Sequence, residues 1–343
     1  MNGVAFARLL PKVELHCHLE GSVRPATIAE LARANGVELP VADPTELYSF
    51  TNLTEFLDVY AVICASLRTV DDFRRITYEA LEDAAAVGIR YREMFFSPGF
   101  LLPFGTSLDT IWTGIRAGLA DAHRDVDIRC RMILDIDKAA GPDAAVELVT
   151  FAAEQDRDEL IGVGGDNTER GVDHRSFVRA FELAARGGLR RTMHAGEDGP
   201  SENIAIAIDH LGCERIDHGV RLGDDPGLLA RVAAERIPLT VCPISNVVLS
   251  GTVPNVAAHP FRAQRDAGVL VTINSDDPGM SGTTIADDFE QVAAAFGYDH
   301  ATMAQIALDG IEASWAPADE KRALARRFRD ETSALLAGTA APA

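Results

Sequence analysis

His16 and His18, in Val13-Glu14-Leu15-His16-Cys17-His18-Leu19-Glu20-Gly21, stand one residue apart on a segment that reads as a β-strand. Alternate strand residues face the same side, so both imidazoles aim at one point, which is how a strand offers two nitrogen ligands to a metal. Three other places carry matching chemistry: His194 in Met193-His194-Ala195-Gly196-Glu197, His218 in Arg215-Ile216-Asp217-His218-Gly219, and the pair in Asn274-Ser275-Asp276-Asp277-Pro278. His16, His18, His194 and Asp276 supply three nitrogens and one carboxylate. That set suits zinc with an open position for water, whose pKa it would lower to about 7. His218 stands where it could serve that water. Glu197, three residues beyond His194, can approach a substrate without ligating the metal. Gly165, in Val163-Gly164-Gly165-Asp166, leaves a bare backbone N–H open to close approach.

These groups need elements that bring them together. Eight short apolar, glycine-bounded runs read as strands: Val13 to His18, Ile89 to Phe96, Ile128 to Ile136, Leu160 to Gly164, Arg191 to His194, Arg215 to His218, Pro238 to Cys242 and Val269 to Asn274. Helical patterns lie between them. In Asp71 to Val87 the apolar residues Phe73, Ile76, Tyr78, Leu81, Ala84 and Val87 mostly recur at three- and four-residue steps before Gly88. Ser107 to His123, Pro142 to Glu154, His174 to Arg186, Asp225 to Glu235, His259 to Ala267 and Pro317 to about Ala337 read similarly. Strand–helix alternation predicts an α/β fold, a (β/α)8 TIM barrel, as one domain over 1–343. Residues 22–88 form a helical insertion between strand 1 and strand 2, placed to cover the barrel mouth. A doubly wound sheet would want a Gly-x-Gly-x-x-Gly turn, and the chain has none.

Barrel enzymes carry catalytic groups at the C-terminal strand ends, where His16, His18, His194, His218, Asp276 and Asp277 all fall. The other histidines, His123, His174, His210, His259 and His300, are expected in solvated or capping roles. Asp166 follows strand 4 one position too late to bridge a second ion, so one metal is expected.

The formal charge of −20 over 343 residues opposes binding to nucleic acid and to anionic membranes. It suits a small neutral or weakly basic substrate. Five cysteines without a Cys-x-x-Cys pair read as reduced thiols. Met1 to Leu10 is too short for a secretory leader, and no apolar run reaches membrane-span length; a cytoplasmic protein is expected. The segment from Ala337 to Ala343 reads as a loose end.

From Leu10 to about Leu336 the chain resembles the adenosine/adenine deaminase family of metal-dependent amidohydrolase barrels. The resemblance rests on Pro11-Lys12-Val13-Glu14-Leu15-His16-Cys17-His18-Leu19-Glu20-Gly21-Ser22, His194-Ala195-Gly196-Glu197, His218-Gly219 and Ser275-Asp276-Asp277-Pro278, in that order. It implies one zinc per subunit on His16, His18, His194 and Asp276. It also implies that Glu197 handles the purine N1 proton, His218 serves the water, Asp277 meets N7 and Gly165 meets N3, with His18 bordering the substrate. Attack at C6 of a 6-aminopurine sends electrons to N1, so Glu197 must arrive protonated, with its pKa raised by burial. The Pro-Cys-x-x-Cys motif of the other zinc deaminase fold is absent.

Nucleoside-type members usually carry aspartate where this chain has Glu20. The stretches Phe50-Thr51-Asn52-Leu53, Glu93-Met94-Phe95-Phe96, Glu214 to Arg221 and Leu239 to Val247 resemble the adenine deaminase branch. Adenine is therefore the expected substrate, with Glu20 filling or polarising the ribose space. The alternatives are adenosine or a larger or N6-substituted aminopurine, hydrolysis of a cyclic amide or phosphoester on the same barrel, and a purine-binding protein without catalysis. A homo-oligomer is compatible with this reading.

Overall fold

Short, apolar, β-branched runs become the strands: β1 (Lys12–Glu14), β2 (Ile89–Phe96), β3 (Arg129–Asp137), β4 (Leu160–Asp166), β5 (Arg190–Arg191), β6 (His194–Ala195), β7 (Ile216–His218), β8 (Leu239–Val241) and β9 (Val271–Ile273). The computed structural model describes residues 3–50 and 53–339; Thr51 and Asn52 of the quoted stretch, the first two residues and the last four lie outside the described residues. All pairings are parallel and follow chain order, β1-β2-β3-β4-β5 and β6-β7-β8-β9.

Two seams join these sheets into a (β/α)8 barrel. At the first, the Thr192 N–H donates to the Val163 carbonyl (3.0 Å) and the Asp217 N–H to the Met193 carbonyl (2.9 Å), so β5 and β6 are two parts of one barrel strand. At the second, Cys17 bridges Asp276 and His18 bridges Phe95, both in parallel sense. The His18 N–H donates to the Asp276 carbonyl (2.8 Å) and the Asp276 N–H to the His16 carbonyl (3.2 Å). The barrel closes at the level of the histidines.

The first strand is less regular than expected. Its ladder stops at Glu14, after a register shift between Lys12 and Val13. The next N–H, on Leu15, donates to the Asn274 side-chain oxygen at 2.8 Å instead of a backbone carbonyl. Side chains continue to hold this seam. Glu14 Oε1 accepts from the Ser275 N–H (3.1 Å) and hydroxyl (2.6 Å), while Arg92 pairs with its other oxygen.

The expected helices form with small shifts. Val70–Ala86 begins with a capping box between Thr69 and Asp72, and Phe73, Ile76, Leu81 and Ala84 are buried. The 174–186 stretch divides into a 3-10 turn, His174–Phe177, and a helix, Val178–Arg186. Ser201–Asp209, Ile285–Phe296 and His300–Ala313 are further helices that the apolar pattern did not mark out. Within 22–88, Val70–Ala86 is the barrel's own helix before β2, so the extra helices are Pro25–Ala34 and Leu53–Ser66.

Beneath the histidines runs a packed column. Phe95 lies against His16 and His18, with ring centroids 5.1 Å away in each case. Ile133, Ile161 and Trp315 pack below it. The buried Arg215 guanidinium then stacks on Trp315 at 3.8 Å and donates to Glu93 (2.5 Å). Glu93 also accepts from the Tyr91 hydroxyl (2.9 Å) and the Trp315 N–H (2.5 Å), so this buried carboxylate is well supplied with donors.

Asn274→Leu is expected to leave the buried Leu15 N–H without an acceptor and to cost about 1–3 kcal/mol. Urea unfolding should show a lower midpoint at unchanged slope.

Candidate active site

Four ligand atoms, one each from His16, His18, His194 and Asp276, lie within 4.8 Å of one another, all on buried residues. His16 Nε2 and His18 Nε2 stand 3.1 and 3.3 Å from Asp276 Oδ1. The outer face of His16 fixes its tautomer. Its Nδ1 lies 3.2 Å from Thr240 Oγ1, whose own hydrogen goes to Asp217 Oδ1 at 2.7 Å. Thr240 can therefore only accept from His16, which carries its hydrogen on Nδ1. The lone pair on Nε2 faces the Asp276 carboxylate and has no hydrogen-bond partner. Two acceptors at that distance repel unless a cation lies between them, and three imidazoles with one carboxylate fit zinc.

The remaining outer nitrogens also meet carboxylates, as ligating histidines commonly do. His18 Nδ1 is 3.6 Å from Asp135 Oδ2, and His194 Nδ1 is 3.7 Å from Asp217 Oδ2. Thr192 and Thr240 each donate to Asp217 at 2.7 Å and hold it between His16 and His194. Burial opposes charge on Asp276; positive charge among the imidazoles around it, or on a cation they hold, keeps its pKa well below the usual carboxylate range. Ser245 donates to its second oxygen at 2.5 Å. Asp276 and His218 both adopt left-handed backbone, with φ +68° and +63°, which costs energy for residues other than glycine and concentrates at functional sites.

A cavity opens above this cluster. Its wall includes His18, Tyr60, Phe100, Glu197, His218 and Asp277. Glu197 Oε1 accepts from Asn246 Nδ2 (2.9 Å), and Oε2 lies 3.5 Å from His218 Nε2. Enclosure in the cavity, and then the charge of Asp276, push the Glu197 carboxyl up to about 8. Burial, reinforced by Asp276, likewise raises Asp277 well above its ordinary value. Its Oδ1 has no hydrogen-bond partner. Room for that carboxyl comes from Gly21, where a Cβ would lie 1.7 Å from Asp277 Oδ1.

Two residues expected at the substrate are not on the cavity wall. Glu20 is fully buried behind it, accepting from the Ser97 N–H (3.0 Å) and the Tyr60 hydroxyl (3.2 Å). Tyr60 presents its ring to the cavity in Glu20's place. Gly165 is part of β4, which runs one residue further than the sequence pattern indicates, and its Cβ position faces Met193 Sδ at 2.7 Å. The chain turns at Asn167, φ +68°, and Asp166, Asn167 and Thr168 form the wall.

Three supporting residues escaped the sequence reading. The Glu169 carboxylate accepts from the N–H groups of Gly196 (2.9 Å), Glu197 (2.8 Å) and Gly199 (3.2 Å) and from Asn203 Nδ2 (2.7 Å), and so fixes the loop that carries Glu197. Asn246 and His259 are buried beside Glu197 and His218. His259 does cap a helix, since its Nδ1 accepts the Phe261 N–H at 3.0 Å, but it is buried, and so is His174. Neither is solvated, because loops and neighbouring helices cover them.

The adenosine deaminase family model matches residues 11–331. The chain is 40% identical over 328 residues to the adenine deaminase of Streptomyces coelicolor, covering 95% of each. The chain belongs to the adenosine deaminase family. Its structure superposes on the adenine deaminase from Arthrobacter aurescens with a TM-score of 0.89 and 36% identity, covering 95% of this chain and 99% of that one. An amidohydrolase from Burkhoderia ambifaria with bound zinc gives a TM-score of 0.91 at 34% identity, covering 99% and 95%. The cluster of imidazoles and carboxylate at the barrel mouth could hold a metal ion.

Asp276→Ala is expected to lower metal content by at least about tenfold at limiting metal. Elemental analysis after dialysis against a weak chelator checks it.

Proposed function

We propose that this chain hydrolyses the exocyclic amine of a 6-aminopurine, adenine plus water giving hypoxanthine and ammonia, with zinc in the cluster of His16, His18, His194 and Asp276. The observation that carries this reading is a pair of carboxyls, Glu197 and Asp277, both held toward the neutral form and both facing one cavity beside the ligand set. Bound zinc would supply a water of lowered pKa; the donor set and the zinc-bound relative support that metal.

The chain's own residues account for the rest. Addition at C6 loads negative charge onto N1, and protonated Glu197 delivers a proton there; the carboxylate it becomes takes up the two protons the added oxygen sheds and hands one to the departing amine, so the C6–N bond breaks, ammonia leaves and Glu197 is again protonated. Protonated Asp277 donates to N7, a hydrogen bond that an ionised carboxylate could not make. His218, 3.5 Å from Glu197, faces the same end of the cavity and orients the attacking water. The Gly165 N–H, at the end of the strand that leads into the wall of Asp166 to Thr168, is the donor for the N3 edge.

Preference for the free base is supported by the aromatic wall. Tyr60 packs against Phe56 and Phe100 with centroids 6.0 and 5.2 Å away, and Glu20 holds the Tyr60 hydroxyl from behind. These groups give one side of the cavity an apolar, aromatic lining, which suits a bare purine better than a hydroxyl-bearing sugar. One barrel with a helical roof built from Pro25–Ala34 and Leu53–Ser66 serves this cavity. Five buried, unpaired thiols support a reducing, cytoplasmic setting, and among the described residues no helix is long and apolar enough to cross a membrane.

Adenine is expected to exceed adenosine in kcat/KM by tenfold or more, about 1.4 kcal/mol of transition-state discrimination. Ammonia release from matched substrates measures it, and adenosine winning by that margin would overturn the assignment.

The active form of Glu197 is the protonated one. Rate should therefore hold below its raised pKa of about 8 and fall as pH rises through that value. Glu197→Gln, which can donate a hydrogen bond but cannot transfer a proton, is expected to retain metal and lose roughly 10²–10⁴-fold in kcat. A pH–rate profile and metal analysis check both points.

A further inference from the structure

The buried side chains behind the cavity form a hydrogen-bonded chain whose direction can be read from its outer end. The Phe261 N–H donates to His259 Nδ1 at 3.0 Å. That nitrogen is therefore an acceptor, and the neutral ring carries its hydrogen on Nε2. His259 Nε2 lies 3.2 Å from Asn246 Oδ1, so it donates there. The Asn246 amide cannot be turned round, because its NH2 would then face an N–H. With its oxygen claimed, Asn246 Nδ2 points both hydrogens inward, one to Glu197 Oε1 at 2.9 Å and one to His218 Nδ1 at 3.1 Å. The Asn246 backbone is fixed as well, its N–H donating to the Cys242 carbonyl (2.9 Å) and its carbonyl accepting from Val253 (3.2 Å). Asn246 and His259 are 0% and 3% exposed.

We propose that Asn246, locked by His259, is a positioning residue that sets the proton placement of both cavity acids and bases, holding His218 as its Nε2–H tautomer and Glu197 with its transferable proton on Oε2. His218 Nδ1 accepts from Asn246, so the ring's one hydrogen lies on Nε2, the nitrogen 3.5 Å from Glu197 Oε2 and 3.9 Å from Asp276 Oδ2. His218 thus offers the cavity a donor, not a free electron pair. In this state it orients a water by donating to it and does not take its proton. Oε1 of Glu197 already accepts from Asn246, which favours Oε2, the oxygen beside His218, as carrier of the proton bound for the substrate; Ser250 also hydrogen-bonds this carboxyl. Gln264, on the helix that His259 caps, donates to the Gly219 carbonyl at 2.8 Å and ties the turn after His218 to the same unit.

This inference rests on the reading of Glu197 and His218 as the groups that handle protons, but its main test does not require the substrate to be adenine. Histidine 15N spectra of the zinc-loaded enzyme, with the His218 signals assigned by their loss in His218→Gln, should show the Nε2–H form. Asn246→Ala should add the Nδ1–H form. A His218 signal that stays Nε2–H in Asn246→Ala overturns the proposal, whatever the enzyme acts on. In turnover, Asn246→Ala is expected to lower kcat by roughly 100-fold with a smaller change in KM. His259→Phe, which retains the amide but frees its oxygen, should lose roughly 10–100-fold. His259→Gln, whose amide nitrogen can reach the place of Nε2, should recover most of that loss. Equal losses in His259→Phe and His259→Gln at equal thermal stability would mean that only packing matters and would also overturn the proposal.

Discussion

Everything at the mouth of this barrel follows from crowding two imidazole nitrogens against one carboxylate oxygen. His16 Nε2 and His18 Nε2 approach one oxygen of Asp276 to within 3.3 Å, and the hydrogen on His16 is drawn to the far side of the ring by Thr240. Such an arrangement is repulsive in an empty, low-dielectric site and favourable once a divalent cation occupies it. The fold holds the groups in place mechanically. The His18 N–H donates to the Asp276 carbonyl and the Asp276 N–H to the His16 carbonyl across the very seam that closes the barrel, so opening the cluster means opening the barrel. Left-handed backbone at Asp276 and His218 is tolerated for the same reason: the surrounding strands over-determine it.

Rigidity is then passed outward through groups that touch no substrate. Asp217, itself held by Thr192 and Thr240, stands between His16 and His194. Glu169 gathers four N–H donors from the loop and helix around Glu197. Gly21 gives up its side chain so that Asp277 can occupy the space. The Phe95–Trp315–Arg215 column fills the barrel below, so the cluster rests on a packed floor and not on a solvent channel.

The convergence of His16, His18, His194 and Asp276 was legible in the sequence because alternation on a strand and position at strand ends translate directly into direction. The barrel was legible for the same reason, down to its eight-strand order. Glu20 and Gly165 were placed by motif position alone. What the motifs could not show is tertiary: a tyrosine from the inserted helix Leu53–Ser66 covers Glu20, and β4 runs on past Gly165. His259 and Glu169 carry no spacing signal, since their partners are 13 to 34 residues away along the chain. Asn246 lay within a stretch noted for its resemblance, yet only the hydrogen-bond directions around it reveal what it holds.

Asp276 and Asp277 show how far environment outranks residue type. They are neighbours in sequence and both buried, yet positive charge gathered at the ligand cluster holds one as a carboxylate while that same negative charge, added to the burial of Asp277, holds the other as an acid. Glu197, three residues beyond a third ligand, is raised in the same direction as Asp277 and from the same source. One ionised carboxylate thus serves two purposes. In the proposed mechanism it would contribute a ligand atom, and through its charge it favours the protonated form of two nearby carboxyls. Separating the pKa values of adjacent carboxyls in this way is how acid and anion chemistry coexist in one site at neutral pH. It also links metal and acid: whatever cation neutralises Asp276 weakens its hold on the protons of Glu197 and Asp277, so burial must carry the larger share. The closed aromatic wall of Phe56, Tyr60 and Phe100 supplies that burial.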